Sequence, residues 1–358
     1  MNIIIDQTLR AELNAGSKAR LDATAIAESV GFSSISLRNN YRDDPASMAI
    51  DLFGVSHQLR QHVKLLAGGD YAVIQFPFRG HNVNLLKRFC VGVRKRGARS
   101  IALVHDLPSI VANRGNLPHE PADKFRCDYL SLSYFDAIIV HNNRMAKYLV
   151  AAGIPNSKLV VLDLFDYLLD EDPSQYRRVS PNVVSFAGNL DRGRAGFIYE
   201  LLKSYRLGDI RLELFGQNYS GAQSAENFVD YKGACPPEEL TKRLTGEYGL
   251  VWSGPSALNC EWPEGGYLIF NNPHKLSLYY ASNMIPVVWK QSAVAEFVEK
   301  THSGIIVGSL SELGRALAGQ TETEHSTRKR NAEAIGAKVR EGLYLKKALR
   351  EAMEVAAG

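Results

Sequence analysis

The feature that most constrains this chain is a recurrence of short, continuously apolar runs separated by longer stretches of helical period. Tyr71-Ala72-Val73-Ile74, Ser100-Ile101-Ala102-Leu103-Val104, Ala137-Ile138-Ile139-Val140 and Leu159-Val160-Val161-Leu162 all lack the alternation of a half-exposed strand. Strands buried on both faces read this way, and they belong to parallel sheets flanked by helices. Between them, Asn82 to Arg96 places Val83, Leu86, Phe89 and Val93 on one face, and Arg144 to Ala152 is closed by Gly153 and Pro155. A second series comprises Val183-Val184-Ser185-Phe186, Ile210 to Phe215, Gly249-Leu250-Val251-Trp252 and Ile285-Pro286-Val287-Val288-Trp289, and ends near Gly304-Ile305-Ile306-Val307. The polar stretch Asp163 to Asn182, with Asp170-Glu171-Asp172-Pro173 and Arg177-Arg178, has little to bury and separates the two series. The reading is α/β: domains over 1–165 and 183–325, a linker over 166–182, and a helix from 326 to 358.

Length and composition agree with two full cores and exclude disorder, since 358 residues are 45% hydrophobic and 22% charged. A net charge of +4 is too slight to imply a nucleic-acid binder. Cys90, Cys127, Cys235 and Cys260 are far apart with no C-x-x-C pair, which argues against a disulfide framework or structural zinc and fits a reducing compartment. Met1-Asn2-Ile3-Ile4-Ile5-Asp6 lacks the basic start of a signal peptide, and no run approaches 18 apolar residues. A cytoplasmic protein is expected. Cations at Lys87, Arg88, Arg94, Lys95, Arg96 and Arg99, and along the C-terminal helix at Arg328, Lys329, Arg330, Lys338, Arg340, Lys346, Lys347 and Arg350, read as solvated faces or as contacts with the inner face of a membrane. No G-x-G-x-x-G follows the first strand, which disfavours a dinucleotide-dependent dehydrogenase.

Ligands of open α/β sheets bind beyond the strand C-termini. In Asn271-Asn272-Pro273-His274-Lys275, Asn272 is placed to cap a helix that Pro273 begins, with Leu276, Tyr279 and Tyr280 on its apolar face. Free backbone N–H groups at such an end, with Lys275 in the first turn, attract a diphosphate; the plainer alternative is an ordinary capped helix with an exposed lysine. Three strands end in small residues: Gly188-Asn189 followed by Arg192 and Arg194, Phe215-Gly216-Gln217, and Trp252-Ser253-Gly254. Together they outline one nucleotide-sized crevice, with the arginines suited to a phosphate clamp.

Gly188-Asn189-Leu190, Tyr231-Lys232-Gly233, Gly249-Leu250-Val251-Trp252-x-Gly254, Gly266-Tyr267-Leu268, Asn271 to Tyr279, Pro286 to Trp289 and Ala295 to Val298 resemble the bacterial glucosyltransferase 3-like and β-1,6-galactofuranosyltransferase-like family. In the first domain Lys18-Ala19-Arg20-x-Asp22, Gly31-Phe32 and Val104-His105-Asp106-Leu107 resemble it too. Where the family usually has an acid after Trp252, this chain has Ser253.

The resemblance implies a GT-B glycosyltransferase of surface polysaccharide or glycoprotein assembly: two Rossmann-like domains facing across a cleft, and a C-terminal helix crossing back to the first. It implies a UDP-sugar co-substrate held mainly by the second domain, a saccharide acceptor on lipid or protein met by the first, and no cofactor or metal, because helix ends and basic side chains stabilise the departing diphosphate. Lys275, Arg192 and Arg194 are expected at the diphosphate, and Phe215, Gly216, Tyr231 and Asn272 at uracil and ribose, with Phe215 and Tyr231 equally readable as core aromatics. Asn189 and His274 complete the expected donor set. Gly16-Ser17 is expected near donor phosphates or acceptor, or simply as a helix cap. An inverting transfer needs a base, for which His105 or Asp106 is placed after a buried strand. Asp6 and Glu264 are weaker candidates. A nucleotide-sugar epimerase of similar shape and a non-catalytic nucleotide-sugar-binding partner subunit are the rival readings. The oligomeric state stays open, a homo-oligomer included.

Overall fold

A computed structural model describes residues 1–7, 15–38, 45–78, 81–117, 127–204, 208–221 and 228–358. The chain divides into two compact units: unit one holds Met1–Glu12, Arg20–Leu162 and Tyr344–Gly358, and unit two holds Leu13–Ala19 and Asp163–Leu343.

Unit one is built on β1 (Asn2–Gln7), β2 (Phe32–Leu37), β3 (Tyr71–Phe76), β4 (Arg99–Val104), β5 (Ala137–Val140) and β6 (Leu159–Val161), in the order β2-β1-β3-β4-β5-β6. Every pairing is parallel. Ile3, Ile4, Ile5, Val73, Ile74, Ile101, Ile138 and Ile139 are almost wholly buried, each contributing about 1.5–3 kcal/mol of transfer free energy. The Asn82 side chain caps the helix Val83–Lys95 by accepting from the N–H of Leu85. Asn142 caps Asn143–Ala151 through the N–H groups of Arg144 and Met145. Strand β2 was not anticipated from the sequence: its serines and exposed positions are those of a sheet edge.

Unit two is built on β7 (Ser180–Ala187), β8 (Arg211–Phe215), β9 (Val229–Tyr231), β10 (Gly246–Val251), β11 (Ile285–Trp289) and β12 (Ile305–Val307), all parallel, in the order β12-β11-β10-β7-β8-β9. The chain winds outward in one direction from β7 through β8 and β9, then returns to start again at β10. The reversal lies between β7 and β10, and this is where an open parallel sheet leaves a crevice for a ligand. A buried carboxylate ties these strands together: Glu213 of β8 accepts from the hydroxyls of Ser185 and Thr245 at 2.6 and 2.8 Å.

Three local expectations are corrected. The stretch from Asp163 does bury apolar surface, with Leu164, Phe165 and Tyr167 inside unit two. The helix expected to run to the C-terminus is two, Glu322–Arg340 and Leu343–Ala357, broken at Gly342, whose φ of 73° suits glycine. Arg340 is not on a solvated face: its guanidinium donates to the Ala281 carbonyl, Asn283 Oδ1 and Asp172 Oδ2 at 3.1, 2.8 and 3.2 Å.

Candidate functional site

The site of unit two is a cavity of about 410 Å³ at the β7/β10 reversal, within the size range of small-ligand pockets. It brings together six of the residues expected to bind the donor: Asn189, Arg194, Phe215, Gly216, His274 and Lys275.

Its floor depends on the absence of a side chain. A Cβ on Gly216 would lie 1.7 Å from the Gly188 carbonyl oxygen, so only glycine lets the turns after β7 and β8 approach this closely. Beneath them the Tyr279 hydroxyl accepts from the Ala187 N–H and donates to the Leu250 carbonyl, both at 3.1 Å. One side chain thus fixes the spacing of the two strands that flank the reversal. Gly249 makes room for that ring, since a Cβ there would meet it at 2.2 Å.

Lys275 enters from the helix His274–Ala281. Its ammonium lies 4.1 Å from the Phe186 ring centroid and donates at 3.4 Å to the Trp252 carbonyl. Burial lowers it from 10.5 to about 8, since its charge has left water without gaining a carboxylate. Arg194, exposed and lining the same cavity, adds a second cation to the site.

His274 Nε2 donates to the Asp166 carbonyl at 3.2 Å, and its ring stacks on Tyr167 with centroids 5.1 Å apart. Burial pushes the imidazole down to about 4, so it is neutral at physiological pH. A cation lies over the same tyrosine ring, with Lys18 Nζ 4.7 Å from the Tyr167 centroid.

Other expected residues lie elsewhere. Arg192 packs over the Tyr199 ring, 4.2 Å from its centroid, and does not line the cavity, whereas Arg194, two residues on, does. Asn272 does not cap the following helix. Pro273 holds the cap position without a side-chain bond, and the buried Asn272 amide donates instead to the Asp163 carbonyl at 2.8 Å. Tyr231 stands behind the wall: it packs on Tyr219 and donates to the Gly216 carbonyl at 2.9 Å. Ser17 lies in the first turn of the helix Ala15–Ser29, half-buried, and the surroundings of Gly16 fall outside the described residues. Glu264 supplies only a carbonyl, at 3.4 Å from the Ser253 hydroxyl. Gly188, Gln217 and Ser253, named in the sequence at the three strand ends, also line it. Lining residues not anticipated as part of the site include Tyr167, Asn218, Cys235, Pro237 and Leu240.

His105 and Asp106 belong to unit one, just beyond β4. Gln75 donates its amide to the Arg20 carbonyl and the Thr24 hydroxyl at 3.2 and 2.8 Å, which fixes its Oε1 as the acceptor facing His105 Nε2 at 2.7 Å. This network assigns the proton to Nε2. Asp106 is exposed, and the following helix, Pro108–Ala112, is capped from a distance by Asp128, which accepts from the Ser109 N–H at 2.7 Å. Asp6 is engaged by Arg20 at 2.8 Å. Among the described residues no three His, Cys, Asp or Glu side chains gather as a metal site, and no helix is long and apolar enough to cross a membrane.

Residues 2–164 match the glucosyltransferase 3-like N-terminal domain family, and residues 184–352 match the corresponding C-terminal domain family. The chain is 30% identical over 351 residues to β-1,6-galactofuranosyltransferase WbbI of Escherichia coli K12, covering 95% of each chain. It is 26% identical over 345 residues to glucosyltransferase 3 of Streptococcus gordonii, covering 94% of each. Among solved structures, Anabaena Alr3699/HepE in complex with UDP superposes with a TM-score of 0.58 at 13% identity, over 99% of this chain and 100% of that one. The chain belongs to the glucosyltransferase 3-like family and is a glycosyltransferase of the GT-B fold.

Proposed function

We propose that the unit-two cavity holds the diphosphate and nucleoside of a UDP-sugar, and that the enzyme moves its hexose, glucose or galactofuranose, to a hydroxyl of a saccharide acceptor in surface polysaccharide or glycoprotein glycan assembly. The observation that carries this reading is Lys275, a cation drawn away from water at the sheet reversal with no carboxylate among the described residues to neutralise it. Desolvated charges are ordinarily paired, and a diphosphate supplies the missing anion. The solved relative HepE is described in complex with UDP.

In this proposal the acceptor oxygen attacks the anomeric carbon as the bond to the diphosphate breaks. The electron pair leaves on the β-phosphate, where Lys275 and Arg194 stabilise the developing charge, the part a divalent ion plays elsewhere. The acceptor proton passes to a base, His105 or Asp106, and the anomeric centre inverts.

Product analysis with UDP-glucose and UDP-galactofuranose, with and without a saccharide acceptor, tests the reading. Acceptor-dependent release of UDP, undiminished by EDTA, is the expected result. Conversion of the donor without acceptor would replace it with an epimerase, and binding of UDP without turnover on any acceptor would replace it with a partner subunit.

A further inference from the structure

Unit one carries a second and larger hollow, of about 670 Å³, between the helices Pro45–Val63 and Val83–Lys95. The helices meet closely at Gly92, where a Cβ would stand 3.3 Å from Val63 Cγ1, and the groove opens beside that contact. Leu59, Val63, Leu85 and Phe89 give it an apolar floor. Its rim is cationic: Arg60, Lys64, Lys87, Arg88 and Lys95 line it with no acidic residue among them. Among the described residues none of the five pairs with a carboxylate; Lys64 reaches only Gln61, and Lys87 lies over the Tyr134 ring at 5.6 Å. The remaining cations of this stretch are engaged within the unit, Arg94 by Asp136, Arg96 by the Leu66 and Lys64 carbonyls, and Arg99 by the Ala356 carbonyl.

Large apolar side chains stand beside the same groove. Phe53 is 75% exposed, and by helical spacing it shares a face with Ser56, Arg60 and Val63, all of which line the groove. Leu65, at the end of that helix, is 60% exposed, and Val91, on the other wall, is 37% exposed. A ring left this far in water beside unneutralised cations fits one kind of surface: phosphates at the level of the cations with hydrocarbon just beyond them. A double-helical nucleic acid would satisfy the cations and leave Phe53, Leu65 and the apolar floor unused, and a single strand, whose bases could stack on Phe53, would still leave Leu65 and the aliphatic floor without a partner.

We propose that this groove is a docking site for an anionic phospholipid bilayer, with Arg60, Lys64, Lys87, Arg88 and Lys95 on headgroup phosphates and Phe53 and Leu65 entering the interface. The proposal is independent of the donor cavity, which lies wholly in the other unit.

The test is co-sedimentation of the full chain with vesicles of phosphatidylcholine alone and of phosphatidylcholine mixed with phosphatidylglycerol. Binding is expected only to the mixed vesicles. The double variant Arg88→Glu, Lys95→Glu should weaken it about tenfold or more, and Phe53→Ser should weaken it without changing net charge. Arg330→Glu, Lys338→Glu, exposed cations of unit two, carries the same charge change and should bind as the parent does. Circular dichroism and UDP affinity establish that each variant is folded. Equal binding to both vesicle types, binding to neither, or equal loss in the two charge-reversal variants would overturn the proposal. So would binding of a single-stranded RNA that Arg88→Glu, Lys95→Glu abolishes while Phe53→Ser leaves it intact.

Discussion

The Lys275 ammonium rests 4.1 Å from the centroid of the Phe186 ring, at the end of the strand where the second sheet reverses. An aromatic face partly compensates a cation that has lost water, and it holds the charge in place before any anion arrives.

Replacing Lys275 with Met should therefore weaken UDP binding by about 10- to 100-fold, the range of about 1.5–3 kcal/mol for a charge-assisted contact. Titration calorimetry reads this directly, and unchanged affinity would move the diphosphate elsewhere. The parent's affinity should fall as pH rises through about 8, where the free ammonium loses its proton. The sign for folding is opposite. Between about 8 and the ordinary 10.5 the unfolded chain holds the extra proton, so this group makes the folded state gain stability with rising pH, and the Met variant should lack that rise.

Gly216→Ala should damage both fold and site, because its Cβ would collide with the Gly188 carbonyl at 1.7 Å and that contact is backbone. A loss of about 1–3 kcal/mol is expected from such overpacking. In thermal unfolding this is a fall in Tm of several degrees, accompanied by weakened UDP binding. A variant with parental Tm and affinity would show that the two turns separate without cost.

His105→Ala and Asp106→Asn should leave UDP affinity unchanged, and whichever removes the base should lower kcat by about 10²–10⁴. Gln75→Leu offers a subtler check. It removes the acceptor that holds the proton on His105 Nε2, so if His105 is the base, kcat should fall and its acidic limb shift while UDP affinity holds. Full activity in both single variants would place the base on another residue.

Arg340→Ala should cost about 1–2 kcal/mol by leaving the Ala281 carbonyl and Asn283 Oδ1 without their donor. The salt bridge to Asp172 adds less, since that carboxylate is 43% exposed. The Asp172 carboxyl is held below its ordinary value chiefly by the Ser174 N–H, with Arg340 assisting. This stabilisation is present above the ordinary carboxylate range and is lost as pH falls through it. Urea unfolding at neutral and acidic pH should show the gap between parent and variant narrowing slightly in acid, by the Asp172 part alone, and not closing.

Central strands of both sheets were legible in the sequence because parallel strands buried on two faces must be apolar throughout, as in Ile138-Ile139 and Val287-Val288. The helix Val83–Lys95 was legible for a related reason, its buried face at Leu86, Phe89 and Val93 being a local pattern. Two of the four edge strands were not: serine-rich β2 and the three-residue β9 have one neighbour each and carry no continuous apolar run, unlike the edge strands β6 and β12.

The sequence by itself determined that a lysine would stand at a helix start after an Asn-Asn-Pro turn, and that three strands would end in small residues, since both are matters of neighbouring residues. Which of these met in one cavity was decided by tertiary structure. Arg192 and Arg194 are indistinguishable as sequence, yet one packs on the Tyr199 ring and the other lines the cavity, because each meets a different neighbour in space. Asn272 had the chemistry of a cap, but the Asp163 carbonyl, more than a hundred residues away in sequence, took its amide. Cys235, Pro237 and Leu240 became cavity wall only because β7, β8 and β10 set the turns around them, and no local pattern encodes a surface assembled from segments that meet in space alone.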